Sequence, residues 1–258
     1  MKKILLCIWG IVTLSGCHIY RAYERPDIAV SDSLYRQSAP TTDTTSLASL
    51  SWKELFTDPQ LQQLIEIGLN NNTDLNIAYL KVKEAEALLM TSRLAYLPAI
   101  SLTPQGSISS QDGAKATKTY DLAAAAEWEI DIFGKLLNAK RGAKAALEQS
   151  EAYRQAVQTQ LVATIANSYY SLLMLDEQLD ITRRTAETWN ENVRAMKALK
   201  RAGQTTEMAV AQTEASKLSV DASVLSLEQQ TNAMENSLSV LLGMNPQEIG
   251  RSTLDAQG

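Results

Sequence analysis

Histidine and cysteine are almost missing from this chain, and their scarcity excludes several classes of protein. The one histidine is His18, and the two cysteines are Cys7 and Cys17. Catalytic triads that use histidine and metal clusters that use histidine are therefore excluded. No other pattern of reactive side chains replaces them, so we predict no enzyme activity, no cofactor and no metal site.

Proline and phenylalanine are also scarce. The chain has two phenylalanines, and no proline lies between Pro104 and Pro246. Hydrophobic residues make up 45% of the sequence, and most of them are aliphatic residues and alanine. This composition is expected of packed helices rather than of a β-sandwich. At 258 residues the chain can form one large domain or two modest ones.

The N-terminus has the pattern of a bacterial lipoprotein signal peptide. Two lysines precede a short apolar segment from Ile4 to Leu14, too short for a transmembrane helix. The tetrapeptide Leu-Ser-Gly-Cys that ends at Cys17 matches the lipobox, in which the cysteine is acylated. We predict a signal peptide at residues 1–16 and lipidation, with palmitate, of Cys17. An ordinary secretory signal that ends near a cysteine is the alternative.

The predicted mature chain is acidic. Removal of the signal peptide leaves 22 basic and 29 acidic residues, a net charge of −7. This balance argues against a nucleic-acid partner. The acylated Cys17 leaves no cysteine pair for a disulfide within one chain. Because His18 and not an aspartate follows the lipid anchor, we expect sorting to the outer membrane, with the chain extending into the periplasm.

We predict that residues 17–57 form an extended arm, because this polar segment has neither helical nor strand periodicity. A first helix begins at Asp58 and Pro59, an N-cap acceptor followed by a proline at the first helical position. It ends in the asparagine run that follows. The next helix is capped by Asn72 or by the threonine after it. We expect this helix to run to Leu97, because the proline that follows, Pro98, disfavours the helical conformation in the residue before it.

The hydrophobic period changes to two between residues 98 and 131. Apolar and polar residues alternate in two runs of roughly ten residues, separated by a loop with Asp112 and Gly113, and this pattern predicts a β-hairpin. Strands of this length cross a bilayer when tilted. The residues predicted to face lipid are Ile100, Leu102, Ile108, Leu122 and Trp128. A soluble amphipathic hairpin is the alternative, and either hairpin needs partner strands from other copies or from more chain.

Two acidic clusters have structural interpretations. The first lies at the end of the second strand and is interpreted as a polar face and strand end: Glu127, Glu129 and Asp131. The second precedes two arginines on a predicted helix and is interpreted as a solvated surface with i,i+4 ion pairs: Asp176, Glu177 and Asp180, with Arg183 and Arg184.

From Lys135 onward the sequence has the heptad period of two long helices. Gly203 ends the first helix, Thr205 or Thr206 caps the second, and Gly243 ends the second. The heptad positions of the first helix include Leu172, Leu179, Ala186 and Val193, with Leu175, Thr182, Trp189 and Met196 as their companions. Those of the second include Val210, Lys217, Val224, Thr231 and Leu238, with Thr213, Val220, Leu227, Met234 and Leu241 as theirs.

Two features go beyond a two-stranded coiled coil. The second long helix has another apolar stripe about 150° from its heptad face. Its members are Ala211, Ala215, Leu218, Ala222 and Leu225. A helix with two such faces is packed between neighbours on both sides. The predicted lengths also favour one long helix beside two shorter helices that are stacked end to end.

Several motifs resemble those of the outer membrane efflux protein family, the TolC-like outer membrane factors, in their lipoprotein branch that serves RND-type efflux systems. They run from Trp52-Lys53-Glu54-Leu55-Phe56 and Asp58-Pro59-Gln60-Leu61 through Asn71-Asn72-Thr73-Asp74-Leu75 and Trp128-Glu129-Ile130-Asp131-Ile132-Phe133-Gly134-Lys135 to Leu241-Leu242-Gly243. The resemblance implies a trimer with a β-barrel in the outer membrane and an α-helical barrel in the periplasm. It also implies an adaptor protein and an inner-membrane pump as partners, and it covers the first of the family's two internal repeats.

We therefore predict a mainly α fold with a β-hairpin, combining long antiparallel coiled-coil helices of an α-helical barrel with strands of a transmembrane β-barrel. The predicted segments are the signal peptide 1–16, the lipid-anchored arm 17–57, the equatorial and upper helices 58–97, the transmembrane hairpin 98–131, the periplasmic helical hairpin 132–243 and a tail 244–258 that begins a linker to a second repeat.

The turn between the two long helices is the predicted docking site for an adaptor. In the family that this chain resembles, the corresponding tip contacts the adaptor's helical hairpin. The predicted docking residues are Lys200, Arg201, Ala202, Gly203, Gln204 and Thr205. A glycine-terminated helical turn with no further role is the alternative interpretation.

Our main hypothesis is an outer-membrane channel component of a tripartite efflux system, a passive conduit for drugs or other small compounds. Selectivity and energy would come from the pump. The alternative is a periplasmic structural or adaptor lipoprotein that uses its helical hairpin for assembly without membrane insertion.

Overall fold

The computed structural model describes residues 26, 50–110, 113 and 115–257, without the side chain of residue 257. The predicted signal peptide, Cys17 and most of the predicted arm lie outside the described residues. The elements are α1 (Trp52–Leu55), α2 (Pro59–Asn71), α3 (Thr73–Leu94), β1 (Ala99–Ser109), β2 (Thr117–Glu127), α4 (Lys135–Arg201), α5 (Glu207–Leu241) and a 3-10 turn (Leu254–Gln257). The predicted mainly α fold with one β-hairpin is confirmed.

The end of the predicted extended arm is not extended throughout, since residues 52–55 form the short helix α1. A capping box starts α1, since the amide of Glu54 donates to Ser51 Oγ and the amide of Ser51 donates to Glu54 Oε2. At α2 the Asp58 carboxylate accepts a 2.8 Å hydrogen bond from the amide of Gln60, and Pro59 occupies the first turn. The predicted start of this helix is confirmed.

Asn72 joins two helices end to end. Its side-chain oxygen accepts a 2.9 Å hydrogen bond from the amide of Leu75 and so caps α3. Its side-chain nitrogen donates a 2.9 Å hydrogen bond to the carbonyl of Leu241, the last residue of α5. The buried side-chain amide of Asn72 thus provides a hydrogen-bond partner for a backbone amide at the start of α3 and for a backbone carbonyl at the end of α5. The predicted stacking of two short helices beside a long one is confirmed.

The predicted end of α3 at Leu97 is wrong, because the helix ends at Leu94. The amide of Ala95 still bonds to Thr91, but the amide of Leu97 bonds to the carbonyl of Leu94, three residues back. The chain tightens over this last turn because Pro98 disfavours the α conformation in the residue before it, and β1 begins directly afterwards.

Helices α4 and α5 form the predicted antiparallel hairpin. Their 67 and 35 residues correspond to roughly 100 Å and 52 Å. Every predicted heptad position is buried or half-buried. Thr206, and not Thr205, caps α5, with its hydroxyl accepting a 3.2 Å hydrogen bond from the amide of Ala209. The second stripe of α5 is exposed in the single chain, with Leu218 at 64% and Leu225 at 67% exposure.

The largest hydrophobic core lies where α2, the middle of α4 and the end of α5 meet. Its members are Leu61, Leu64, Ile65, Leu161, Val162, Ile165, Ala166, Tyr169, Leu172, Leu173, Leu238, Leu242 and Ile249. Ile249 belongs to the segment after α5, which therefore packs on this core. The sequence shows no periodicity after Gly243, and for that reason we predicted only a tail in this segment.

Candidate functional site

The β-hairpin has one largely apolar face shared by both strands, with Lys118 opposite Ile108 near the loop end. In the antiparallel register Ile100 lies opposite Ala126, Leu102 opposite Ala124 and Pro104 opposite Leu122. Directly opposed residues project to the same side of a sheet. The four predicted lipid-facing residues within the strands therefore share one face. Their exposed fractions are 83% for Ile100, 65% for Leu102, 71% for Ile108 and 72% for Leu122.

Both strands are exposed along their whole length. Each has 11 residues, and within the described part of the chain they pair only with each other. Eleven residues match the length of a tilted membrane-spanning strand. The assignment of the apolar face to lipid remains a prediction.

Trp128 ties the end of the hairpin to the end of α3. It lies one residue past β2, continues the alternation of the apolar face and is 64% exposed. Its indole N–H donates a 3.1 Å hydrogen bond to the carbonyl of Tyr96. The ring of Tyr96 in turn lies 5.8 Å from the Lys140 ammonium, a cation–π contact. These contacts connect the hairpin, the α3 terminus and the second turn of α4.

Asp131 caps the longest helix. Gly134 occupies the N-cap position of α4 and has no side chain to accept a hydrogen bond. The two carboxylate oxygens of Asp131 instead accept bonds from the amides of Leu136 at 3.1 Å and Leu137 at 2.8 Å. A carboxylate here also complements the helix dipole. The interpretation of Asp131 as part of a strand end is corrected, since β2 ends at Glu127.

The motif that contains Asp131 also exposes a group of large apolar side chains. The nearby Glu129 carboxylate forms a 2.8 Å ion pair with Lys135, so both acidic residues of the junction are engaged. Ile130 is 66% exposed, Ile132 77% and Phe133 93%. Large exposed apolar side chains that lie close together in the sequence are typical of surfaces that a partner or a membrane covers.

The predicted docking tip is a compact exposed turn. Gly203 has a φ of 72°, and the amide of Gln204 donates to the carbonyl of Leu199, which closes a Schellman motif. An ion pair between Lys200 and Glu207 joins the two helices across the turn. The predicted docking residues are exposed apart from Thr205, which is half-buried. The docking role itself remains a prediction.

A buried polar cluster attaches the segment after α5 to the helix core. The hydroxyl of Tyr169, which has no exposed surface, donates a 2.5 Å hydrogen bond to Asp58 Oδ2. Ser252 contributes its hydroxyl to the same carboxylate oxygen at 2.6 Å, and its amide donates to the Tyr169 hydroxyl at 3.1 Å. Burial, followed by the hydrogen bond to Asp58, raises the pKa of Tyr169 above its usual value.

Arg251 forms a second attachment beside the first. Its guanidinium donates to Asp176 Oδ1 at 2.8 Å, to Glu235 Oε1 at 2.5 Å and to the carbonyl of Ile249 at 2.9 Å. The hydrogen bonds to Asp176, and then the one to Glu235, raise the pKa of Arg251 further above its usual value, although burial opposes this. We call the residues of these two attachments, Asp58, Tyr169, Asp176, Glu235, Arg251 and Ser252, the tail clamp.

The tail clamp corrects one prediction about the acidic cluster on α4. Asp176 does not belong to a purely solvated surface, because it binds Arg251 from the segment after α5. The two arginines that follow this cluster form ion pairs at the surface. Asp180 pairs with Arg184 one turn later, as predicted, and Arg183 reaches Glu228 on α5 at 2.6 Å.

Residues 50–110, 113 and 115–257 show neither a metal site nor a helical membrane span. Their cysteine, histidine, aspartate and glutamate side chains form no group of three or more that could hold a metal ion. Their helices also include none with the length and apolar character that crossing a bilayer requires.

Sequence comparison relates residues 64–244 to the family model described as "Outer membrane efflux protein". The probable outer membrane lipoprotein SilC of Salmonella typhimurium is 32% identical over 245 residues, which cover 91% of this chain and 52% of SilC. The pyoverdine export outer membrane protein OpmQ of Pseudomonas putida is 27% identical over 240 residues, or 88% of this chain and 51% of OpmQ.

Structural comparison gives the same relationship. A crystal structure of CusC matches with a TM-score of 0.75 at 24% identity, over 94% of this chain and 55% of the CusC chain. At this identity the likeness shows a common fold. The chain spans about half the length of the curated relatives that it matches.

Proposed function

The chain belongs to the outer membrane efflux protein family, whose members are channels and not enzymes, and from this we propose that it forms part of the wall of an outer-membrane export channel. The hairpin β1–β2 supplies strands to a barrel in the membrane. The unit of α4 beside α5 and α3 supplies the periplasmic helical wall. Further strands and helices come from other copies or from further chain.

The observation that carries this proposal is the shared apolar face of the hairpin. Ile100, Leu102 and Leu122 are more than 60% exposed on that face, and nothing else in the described chain covers them. In water such a surface is unfavourable by about 25 cal/mol for each Å². In a bilayer the same surface is stabilising, and barrel closure satisfies the open strand edges.

The partners follow from the same proposal. The channel is a passive conduit in a tripartite system, a trimer when both repeats are present, and its tip docks on a periplasmic adaptor that leads to an inner-membrane pump. Acylated Cys17 anchors it to the outer membrane. Among the relatives, SilC is named a probable outer membrane lipoprotein, and OpmQ is named a pyoverdine export outer membrane protein. The exported compounds of this chain are drugs or other small molecules.

Carbonate extraction of membranes separates the channel from the alternative, a periplasmic adaptor lipoprotein. The test uses Cys17→Ala behind a secretory signal, so that no acyl chain holds the protein. We expect the protein to stay in the membrane pellet, because inserted strands resist carbonate. Release into the supernatant, together with a known peripheral control protein, would contradict the channel and favour the adaptor.

Gly203→Trp tests the docking tip. A Cβ at Gly203 has no atom within 4 Å, so an indole projects into open space and blocks a partner without a steric clash. Gly203→Ala is the matched control, because it has the same backbone strain at φ 72° but little bulk. We expect Trp to abolish efflux, Ala to preserve most of it, and both to reach the membrane. Equal drug resistance of the Trp variant and wild type would refute the docking role.

A further inference from the structure

The start of α4 carries a group of basic side chains that the channel wall does not explain. Lys140, Arg141 and Lys144 are all exposed, and the first acidic residue of the helix is Glu148. At 100° per residue their positions span an arc of about 100° on one flank of the helix. We call these three residues the basic arc.

The basic arc adjoins the apolar face of the hairpin. Trp128 continues that face and bonds to the carbonyl of Tyr96, whose ring contacts the ammonium of Lys140. Lys140 and Lys144 lie roughly 8 Å and 14 Å along the helix from its first residue. This distance is comparable to the headgroup layer plus one Debye length, which is about 10 Å at 0.1 M salt.

The acidic groups around the basic arc leave most of its charge uncompensated. Glu129 is paired with Lys135, and Asp131 accepts hydrogen bonds from the first amides of α4. Glu148 lies 3.5 Å from Lys144, but both side chains are more than 60% exposed, and such pairs are weak. Arg93, in the exposed last turn of α3, adds a further positive charge at the same end of the helices.

We propose that the basic arc binds the phosphate groups of anionic phospholipids in the leaflet that faces the periplasm. The inference rests on the proposed function, since the hairpin must lie in a bilayer to bring the arc to its surface. Trp128 then lies at the interface, where its amphipathic ring is favoured. The lysines act as point charges, and the guanidinium of Arg141 binds phosphate through two N–H groups.

Vesicle flotation with the full chain tests this proposal. The protein carries Cys17→Ala, so that no acyl chain contributes, and is diluted from detergent onto preformed vesicles. One set is phosphatidylcholine alone, and the other is an equal mixture with phosphatidylglycerol. The measurement is the lipid concentration at which half of the protein floats, in about 0.1 M and about 1 M NaCl, where the Debye length falls from about 10 Å to about 3 Å.

The test variant replaces the basic arc, as Lys140→Gln, Arg141→Gln and Lys144→Gln together. Each basic residue near an anionic surface contributes roughly five-fold, so we expect the variant to lose at least about ten-fold of the preference for phosphatidylglycerol at low salt. High salt should remove the same preference from wild type. The control is Arg154→Gln, Arg184→Gln and Arg194→Gln, which are at least about 15 Å farther along α4 and should change it less than about two-fold.

The outcomes separate the inference from the proposed function. Flotation with neutral vesicles but no preference for phosphatidylglycerol overturns the lipid-binding arc alone. An equal loss in the control variant also overturns it, because net charge then explains the preference. Flotation with neither vesicle type overturns both proposals. Binding to anionic vesicles only contradicts insertion of the hairpin and therefore overturns the inference as well, because the basic arc then reaches lipid without inserted strands.

Discussion

Replacement of Arg251 by methionine should destabilise the fold by about 3 kcal/mol, because it leaves a buried carboxylate without its cation. The Glu235 side chain is 9% exposed and lies 2.5 Å from the Arg251 guanidinium. Removal of one partner of a buried ion pair costs about 3–5 kcal/mol. The other partner, Asp176, is 40% exposed and can regain water, which places the expected value at the lower end of this range.

Two further variants separate the charge effect from lost packing. Arg251→Met combined with Glu235→Gln removes both charges, and we expect it to recover about 2 kcal/mol of the loss, since no buried carboxylate then lacks a cation. Arg184→Met is the matched control. Its pair with Asp180 lies on the surface, with the arginine side chain 75% exposed, so the expected change is within about 0.5 kcal/mol.

Urea unfolding in detergent micelles, followed by the far-UV circular dichroism of the helices, gives these free energies from the midpoint and slope of the transition. If Arg251→Met were no more destabilising than Arg184→Met, the Arg251 attachment of the tail clamp would make no measurable contribution to stability. A double variant as unstable as the single one would show that lost packing, and not the orphaned carboxylate, causes the effect.

Four other predictions address the helix junctions and the clamp. Asn72→Ala should cost about 2 kcal/mol in urea unfolding. Asn72→Asp should cost at least as much although aspartate keeps the cap of α3, because its buried carboxylate would face the carbonyl of Leu241 at the negative end of α5. Gly243→Ala should cost more than about 2 kcal/mol, since its Cβ would lie 2.8 Å from a backbone oxygen. Gly203→Ala should cost about 1 kcal/mol, because no atom lies near its Cβ, and equal losses in the two variants would refute this reasoning. Asp131→Ala should remove about 1 kcal/mol, with Asp131→Asn retaining part of it, and equal stability of wild type and alanine would contradict the cap. The pKa of Tyr169 is raised in the folded protein, so its stabilising effect should be complete below pH about 10 and lost as the pH rises through the folded pKa. The free energy of unfolding, measured as a function of pH, should show this loss in wild type and not in Tyr169→Phe.

The helices could be predicted from the sequence because their signals are local. Asp58 and Asn72 provide N-cap acceptors, Gly203 and Gly243 adopt positive φ values at the helix ends, and the heptad positions between them are buried. The same holds for the hairpin, since strict alternation fixes which residues share a face. Each of these features depends on residues a few positions apart.

The tail clamp could not be predicted because its contacts join distant parts of the chain. Ser252 bonds to Asp58, 194 residues earlier, and Arg251 bonds to Asp176, 75 residues earlier. The segment that contains them has no helical or strand period that would indicate burial. Asp131 was misjudged for a different reason, since alternation continues past the point where β2 ends, and the helix cap comes from three residues before the N-cap position.

The central claim is that the apolar face of the hairpin contacts lipid, and fluorescence quenching at two neighbouring positions tests it most directly. Single cysteines replace Leu122 and, as the matched control, Asp121, in a chain whose own cysteines are changed to alanine, and each is labelled with a fluorophore in the membrane. These residues lie on opposite faces of β2. We predict that a lipid-soluble quencher reaches the label at position 122 and a water-soluble quencher the label at 121. Quenching of both labels by the water-soluble reagent alone would contradict the account.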